Sequence, residues 1–208
     1  MLQSLKTYTR DKVVSYLLNM ATSSSDETLI KMTLLMEMIP KKEYYRDRIR
    51  WIRNLVQQKH PSIEFPRRIL KELHPNQRDK WITNLAINHL LSGTNKRKEW
   101  ADANGFYPPS TVVISVTMRC NLSCYGCYAG DYNKSLELTL DEIDGVLTQM
   151  KEMGIYFAVI SGGEPFFKQG IFELFEKHSD MAFLVFTHGG LIDDALVQRL
   201  IAVGNVMP

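Results

Sequence analysis

The sequence predicts an α/β protein in which a helical amino-terminal region precedes strand–helix units on a parallel sheet. Three observations predict it. Short, β-branched or apolar runs at Thr111–Thr117, Ile155–Ile160 and Met181–Phe186 read as buried strands. Amphipathic stretches of helical length follow each of them. Before about residue 104 the apolar period is that of helices throughout. Near-continuous apolar strands alternating with helices imply a parallel sheet covered on both faces.

The elements follow in order. Ser23, Ser24, Ser25 and Asp26 read as a helix start before Leu29, Ile30, Thr33, Leu34 and Glu37–Met38. Met32, Met36 and Met38 read as flexible core rather than a binding surface. Tyr45, Ile49, Ile52, Leu55 and Val56 form the apolar stripe of a second helix. Pro61, Pro66 and Pro75 can each open a helix at its first turn, with His60 and His74 as loop residues before two of them. Ile82, Leu85, Ala86, His89 and Leu90 trace a further stripe that Gly93 would stop, with His89 as a satisfied core histidine. No internal repeat is apparent. Asn104-Gly105-Phe106-Tyr107-Pro108-Pro109-Ser110 reads as a linker, which divides the chain into a helical, basic domain over 1–104 and an α/β domain over 105–208.

In the second domain Thr139 caps a helix that runs to about Met153 and ends at Gly154. Asp141 and Glu142 suit its first turn, and with Asp144 they read as dipole partners and solvated positions rather than a catalytic dyad. Ile171–His178 and Asp193–Val203 are the next helices, the latter stopped by Gly204. The last residues, Gly204–Pro208, stand where a fourth strand should begin. Three βα units do not close a barrel, so the architecture is read as truncated.

Length and composition are those of an ordinary soluble globular protein with room for one or two domains. The first twenty residues carry Lys6, Arg10, Asp11 and Lys12 and lack the apolar run of a secretory signal, and no stretch is long and apolar enough to span a bilayer. Three clustered cysteines fit a reducing compartment, so a cytoplasmic location is expected. Net charge is +2, but residues 40–100 hold 15 Lys/Arg against 6 Asp/Glu. That region includes Lys41, Lys42, Arg46, Arg48, Arg50, Arg53, Arg67, Arg68 and Lys71 around Tyr45 and Trp51. It reads first as a solvated helical face, with an anionic lipid or other acidic partner, and then nucleic acid, as the lesser alternatives.

The chemistry is carried by Cys120, Cys124 and Cys127, the chain's only cysteines, spaced Cys-x3-Cys-x2-Cys after the first strand. Thiolates are the usual ligands of iron–sulfur clusters, and three of them leave one iron of a cubane open. A loop between a strand and the next helix lies at the carboxyl edge of a (β/α) sheet, where active sites collect. The alternative is a structural zinc site completed by His178 or His188. A second motif, Ser161-Gly162-Gly163-Glu164-Pro165, follows the second strand. Paired glycines let backbone approach a ligand closely, and a carboxylate beside them can take a cationic group.

Together these residues resemble the radical S-adenosylmethionine (SAM) superfamily over about residues 110–208. The resemblance implies a partial (β/α) barrel of that type, with about three of the family's usual six units. It implies a [4Fe–4S] cluster on Cys120, Cys124 and Cys127 whose fourth iron is chelated by SAM. It further implies that Gly162, Gly163, Glu164 and Pro165 lie against the methionine end of SAM, and that the backbone at Gly126 helps to hold adenine. In the family the reduced cluster cleaves SAM to a 5′-deoxyadenosyl radical that abstracts hydrogen from a substrate, and a donor such as a flavodoxin or ferredoxin supplies the electron. Two positions depart from the pattern: Gly126 stands where an aromatic residue or His is common, and Thr187-His188-Gly189-Gly190 replaces Thr-Asn-Gly after the third strand. His188 reads as structural rather than catalytic. The expected function is thus a radical SAM enzyme, or its amino-terminal half, with an unassigned substrate. The competing reading is a non-catalytic metal-binding or interaction protein with a vestigial half-barrel.

Overall fold

The computed structural model describes residues 24–38, 43–130, 132–135 and 137–208, without the side chains of Tyr44 and Tyr45. Lys41, Lys42, Ser23 and the Tyr45 side chain therefore lie outside the described residues. Contacts divide the chain between His74 and Pro75 into two compact units.

The first unit holds α1 (Asp26–Glu37), α2 (Glu43–Gln57) and α3 (Pro61–Glu72). Ser25 caps α1, its hydroxyl accepting from the Thr28 N–H at 3.2 Å. The row of α1 that meets α2 is Leu29, Thr33 and Glu37. Arg53 donates to Thr33 Oγ1 at 3.0 Å and to Glu37, and Arg50 Nε donates to Glu37 Oε1 at 2.6 Å. Met36, on the flank of that row, and Met38, at the helix end, are exposed and Met32 is half-buried, so none of the three is the buried core that the sequence predicted. In α2 the predicted stripe is buried at Leu55 and Val56, whereas Ile52 is exposed. Several of the basic residues are committed within the unit, among them Arg50 and Arg53 to Glu37, Arg67 to Asp26 at 2.6 Å and Arg46 to Glu43 at 3.5 Å. Pro61 opens α3 as predicted, and His60 caps it by accepting the Ser62 N–H on Nδ1 at 3.2 Å. Pro66 instead lies inside α3, where a proline leaves the carbonyl one turn back without its helical donor.

The second unit starts with α4 (Pro75–Trp81), a π-helical stretch (Ile82–Ser92) and α5 (Gly93–Asn104), and only then enters the sheet. The sequence stripe holds here at Ile82 and His89 but not at Leu90, for a geometric reason. In a π-helix the hydrogen bonds run from i to i+5, so residues five apart share a face. The buried pairs are accordingly Ile82 with Ile87 and Asn84 with His89, while Leu90 is exposed. Gly93 does not stop the helix. It is a contact point, where an added Cβ would stand 2.4 Å from the carbonyl oxygen of Gly154.

These helices belong with the sheet because their polar side chains bond its loops. Asn84 Nδ2 donates to the carbonyls of Ser179 (3.0 Å) and Met181 (2.7 Å), Asn88 to Asp180 (2.9 Å), Asn76 to Ile201 (2.7 Å), and Arg97 to Gly154 (2.7 Å). The compact unit therefore begins at Pro75, thirty residues before the linker that composition suggested.

His89 is a satisfied core histidine, as predicted. It is buried, its Nδ1 accepts the Tyr156 N–H at 3.4 Å, and its ring packs edge-on to Phe157. Burial, and then the Arg97 charge, push its pKa down to about 4 from an ordinary 6.5. The unfolded chain therefore binds a proton at His89 that the folded chain refuses. Its contribution is intact above pH 6.5 and lost as pH falls through that value to about 4, by up to about 3 kcal/mol. Urea unfolding across this window should show the slope, and His89→Gln should flatten it.

The sheet comprises β1 (Val112–Thr117), β2 (Phe157–Gly162), β3 (Ala182–Val185) and β4 (Val206–Met207), all parallel, in the order β1-β2-β3-β4. The connections carry α6 (Leu140–Glu152), α7 (Ile171–Lys177) and α8 (Asp194–Val203). This is the α/β architecture predicted, a partial (β/α) barrel with the start of a fourth strand in place. Ile114, Val116, Ile160, Phe183 and Val185 from the strands meet Ile143, Leu147, Phe172, Phe175 and Leu200 from the helices in one core. Thr139 and Glu142 form a reciprocal capping box at α6, and those bonds hold Glu142 below the usual carboxylate range. β2 begins two residues later than the apolar run because the Ile155 N–H closes the end of α6 on the Met150 carbonyl at 2.8 Å. Asp144 is not merely solvated. It takes Lys177 Nζ at 2.8 Å and His178 Nε2 at 2.9 Å, and Lys177 chiefly, then His178, lower its pKa. Among the described residues no helix is long and apolar enough to cross a membrane.

Candidate functional site

The first three of the parallel strands end on one edge, and the loops that follow them meet there. β1 delivers the cysteine loop, β2 delivers Gly162-Gly163-Glu164-Pro165, and β3 delivers Thr187-His188-Gly189-Gly190.

The first two loops are joined by backbone. The Gly163 N–H donates to the Thr117 carbonyl at 2.8 Å and the Glu164 N–H to the Arg119 carbonyl at 2.9 Å, extending the β1–β2 pairing beyond the strands. Only glycine allows this approach. A Cβ on Gly162 would stand 2.1 Å from the Thr117 oxygen, with φ at +136°, and one on Gly163 would stand 2.4 Å from the Arg119 oxygen. The far end of the cysteine loop is fastened to the same place. Tyr128, just after Cys127, donates its hydroxyl to the Gly162 carbonyl at 2.8 Å and lies 3.1 Å from Ser161 Oγ. The loop between is turned by Cys127 N–H to Cys124 carbonyl (3.2 Å) and Gly130 N–H to Cys127 carbonyl (3.0 Å), with Gly126 at φ +70°.

Cys120 is partly covered and accepts the Leu122 N–H on Sγ at 3.4 Å, whereas Cys124 and Cys127 are exposed. All three are free thiols. Among the described residues no three His, Cys, Asp or Glu side chains stand gathered as a metal site, so the thiols share one loop without converging. The donor chemistry fits an iron–sulfur cluster: three unpaired thiols, two of them open, with a backbone N–H already directed at the third. The two histidines that a zinc site would need are engaged elsewhere, His178 with Asp144 and His188 with Asn121 and Glu164.

Glu164 is fully buried, and its carboxylate is the hub of the edge. Thr187 Oγ1 lies 2.9 and 2.8 Å from its two oxygens. The Phe166 N–H donates to Oε1 at 3.1 Å and the His188 N–H to Oε2 at 3.2 Å. The side chain that the sequence offered as partner for an ammonium group is thus engaged by internal donors. Thr187, Asn121 and the Tyr128 hydroxyl join the site without having stood out in the sequence. The one available signal was the Thr-His-Gly-Gly run after β3.

A cleft of about 500 Å³ opens beside Cys120, lined by Arg119, Lys134, Ser135, Glu137 and Phe167. Arg119 lies over the Phe167 ring at 5.0 Å. Glu137 closes the cleft through an antiparallel bridge to Thr117 and an ion pair with the buried Lys168 at 3.3 Å. Its pKa is lowered first by the Thr117 hydroxyl and then by Lys168.

Residues 114–208 match the family model of the Radical SAM superfamily. Fe-coproporphyrin III synthase of Methanosarcina barkeri is 33% identical over 97 residues, which are 45% of this chain and 24% of that protein. A probable GTP 3′,8-cyclase of Methanothermobacter marburgensis is 32% identical over 94 residues, 43% of this chain and 31% of that one. Among solved structures, SuiB of Streptococcus suis bound to S-adenosylmethionine is similar over 74% of this chain and 36% of its own, with 18% identity and a TM-score of 0.45. The matched segment thus spans a quarter to a third of the curated relatives' length.

Proposed function

We propose, for a chain that belongs to the radical SAM superfamily through residues 114–208, that Cys120, Cys124 and Cys127 ligate a [4Fe–4S] cluster and that the Gly162–Pro165 edge seats S-adenosylmethionine beside it. The observation that carries this reading is the fastening of both ends of the cysteine loop to that edge, at Thr117 and Arg119 before the cysteines and at Tyr128 after them. Such a cluster supplies, when reduced, the electron that cleaves SAM to a 5′-deoxyadenosyl radical for hydrogen abstraction from a substrate.

The chain's own residues have separate tasks. The cysteines hold the iron, and the N–H of Leu122 steadies the Cys120 sulfur. Gly163, partly exposed, presents its backbone to the amino-acid end of SAM, with the buried Gly162 packed behind it against Thr117. Glu164 keeps that backbone in place from behind, since its carboxylate is engaged by Thr187 and His188. Gly126 offers backbone to the adenine, and the wholly exposed Tyr125 is the neighbouring ring able to cover it. A small reducing protein such as a flavodoxin or ferredoxin is the electron source in this reading.

The test is anaerobic incubation of the iron-loaded chain with SAM and dithionite, followed by chromatography. Release of 5′-deoxyadenosine is expected, and none from a Cys124→Ser variant. An iron-loaded chain that leaves SAM intact would favour the non-catalytic metal-binding or interaction protein.

A further inference from the structure

We propose that His188 is a positioning residue that locks the cysteine loop to the buried end of the sheet, an inference that rests on the cluster reading above. The geometry fixes its tautomer. Nδ1 accepts the Gly190 N–H at 2.9 Å, so the ring proton is on Nε2. Nε2 donates to Asn121 Oδ1 at 3.0 Å, and Glu164 Oε2 stands 3.2 Å from the same nitrogen. The same residue's backbone N–H also donates to Glu164 Oε2.

Asn121 is the neighbour of Cys120, and it is exposed. The backbone bonds at Thr117 and Arg119 fix the loop before Cys120, and the Tyr128 hydroxyl fixes it after Cys127. Between those anchors His188 is the described side chain that ties the stretch beginning at Asn121 to a different loop. It is four-fifths covered and rests on a carboxylate with no exposure, so the tie has a rigid base. Three loops from three successive strands are thereby joined through one residue, its ring on Asn121 and its backbone N–H on Glu164. The departure from Thr-Asn-Gly after β3 then has a use. An asparagine could accept the Gly190 N–H with its Oδ1, but its shorter side chain would not carry a donor to the Nε2 position.

Substitutions separate the two ring nitrogens. His188→Asn keeps an acceptor near Nδ1 and loses the donor at Nε2, whereas His188→Gln places an amide donor near Nε2. Asn121→Ala removes the other partner from an exposed position and leaves the buried carboxylate intact. The first measurement needs no metal. In a Cys124→Ser/Cys127→Ser background, the rate at which Cys120 reacts with an aromatic disulfide reports how firmly the loop is held. H188N and N121A should each raise that rate several-fold and by similar factors, the pair together should do no more than either alone, and H188Q should behave as the parent. In the chain with all three cysteines, iron should pass to a chelator several-fold faster from H188N than from H188Q. A rate unchanged in both H188N and N121A, or H188Q as fast as H188N, would overturn the proposal. A parent chain that takes up no iron would instead overturn the cluster reading, while the thiol rates would still decide whether His188 holds the loop.

Discussion

Gly163→Ala should unfold the carboxyl edge of the sheet and abolish iron uptake with it. The new methyl group would need to sit 2.4 Å from the Arg119 carbonyl oxygen and 2.8 Å from that of Met118, both backbone atoms with no rotamer to retreat into. Overpacking of this kind costs about 1–3 kcal/mol even where side chains can shift, so a loss at or above the top of that range is expected in the urea midpoint. Gly162→Ala should do the same, because the clash with Thr117 adds to a φ of +136° that an alanine adopts only under strain. Gly145→Ala is the internal control. Gly145 lies inside α6 with nothing within 4 Å of a new Cβ, so the same change should stabilise the chain by about 0.5–1 kcal/mol. If Gly163→Ala matched Gly145→Ala, the tight seating of the cysteine loop on the β2 edge would be wrong.

Cysteine substitution should have the opposite profile, with little effect on folding and a large effect on metal. Cys124 and Cys127 are exposed and make no side-chain contact that a serine would break. Each Cys→Ser change there should therefore move stability by no more than about 0.5 kcal/mol. Iron bound after reconstitution should nevertheless fall close to zero in each, because a cubane held by three thiolates does not survive the loss of one as hydroxyl. Cys120→Ser should behave alike in iron content while costing somewhat more stability, since Cys120 is partly covered and its sulfur accepts the Leu122 N–H. The paired readouts distinguish a ligand from a structural thiol.

The sheet was legible because its signals are local. β-branched runs, the Thr139 capping box and the left-handed Gly204 each act within a few residues, and each element stands within two residues of where its signal lies. The cysteines and the Gly162–Pro165 motif were legible for a different reason, their spacing together with their place at successive strand ends.

What the sequence hid depends on distance or on unusual geometry. Nothing in Ile82–Ser92 announces five-residue spacing, so a 3.6-residue period selected Leu85 and Leu90 where the fold buries Ile87 and Asn84. The compact unit starts at Pro75 because Asn76, Asn84, Asn88 and Arg97 bond carbonyls some 60 to 125 residues away, and polar side chains of that kind leave no apolar stripe to read. Glu164 read as a side chain for a ligand because a carboxylate is expected to face water or a cation. Its burial depends on Thr187 and His188 arriving from another strand.

The most direct measurement is anaerobic reconstitution of the purified chain with iron and sulfide, with iron, sulfide and zinc counted per chain. About four irons per chain are expected, in a brown protein whose visible absorption dithionite bleaches, with loss of both in the three Cys→Ser variants. A stable, colourless chain that binds zinc and takes up no iron would contradict it.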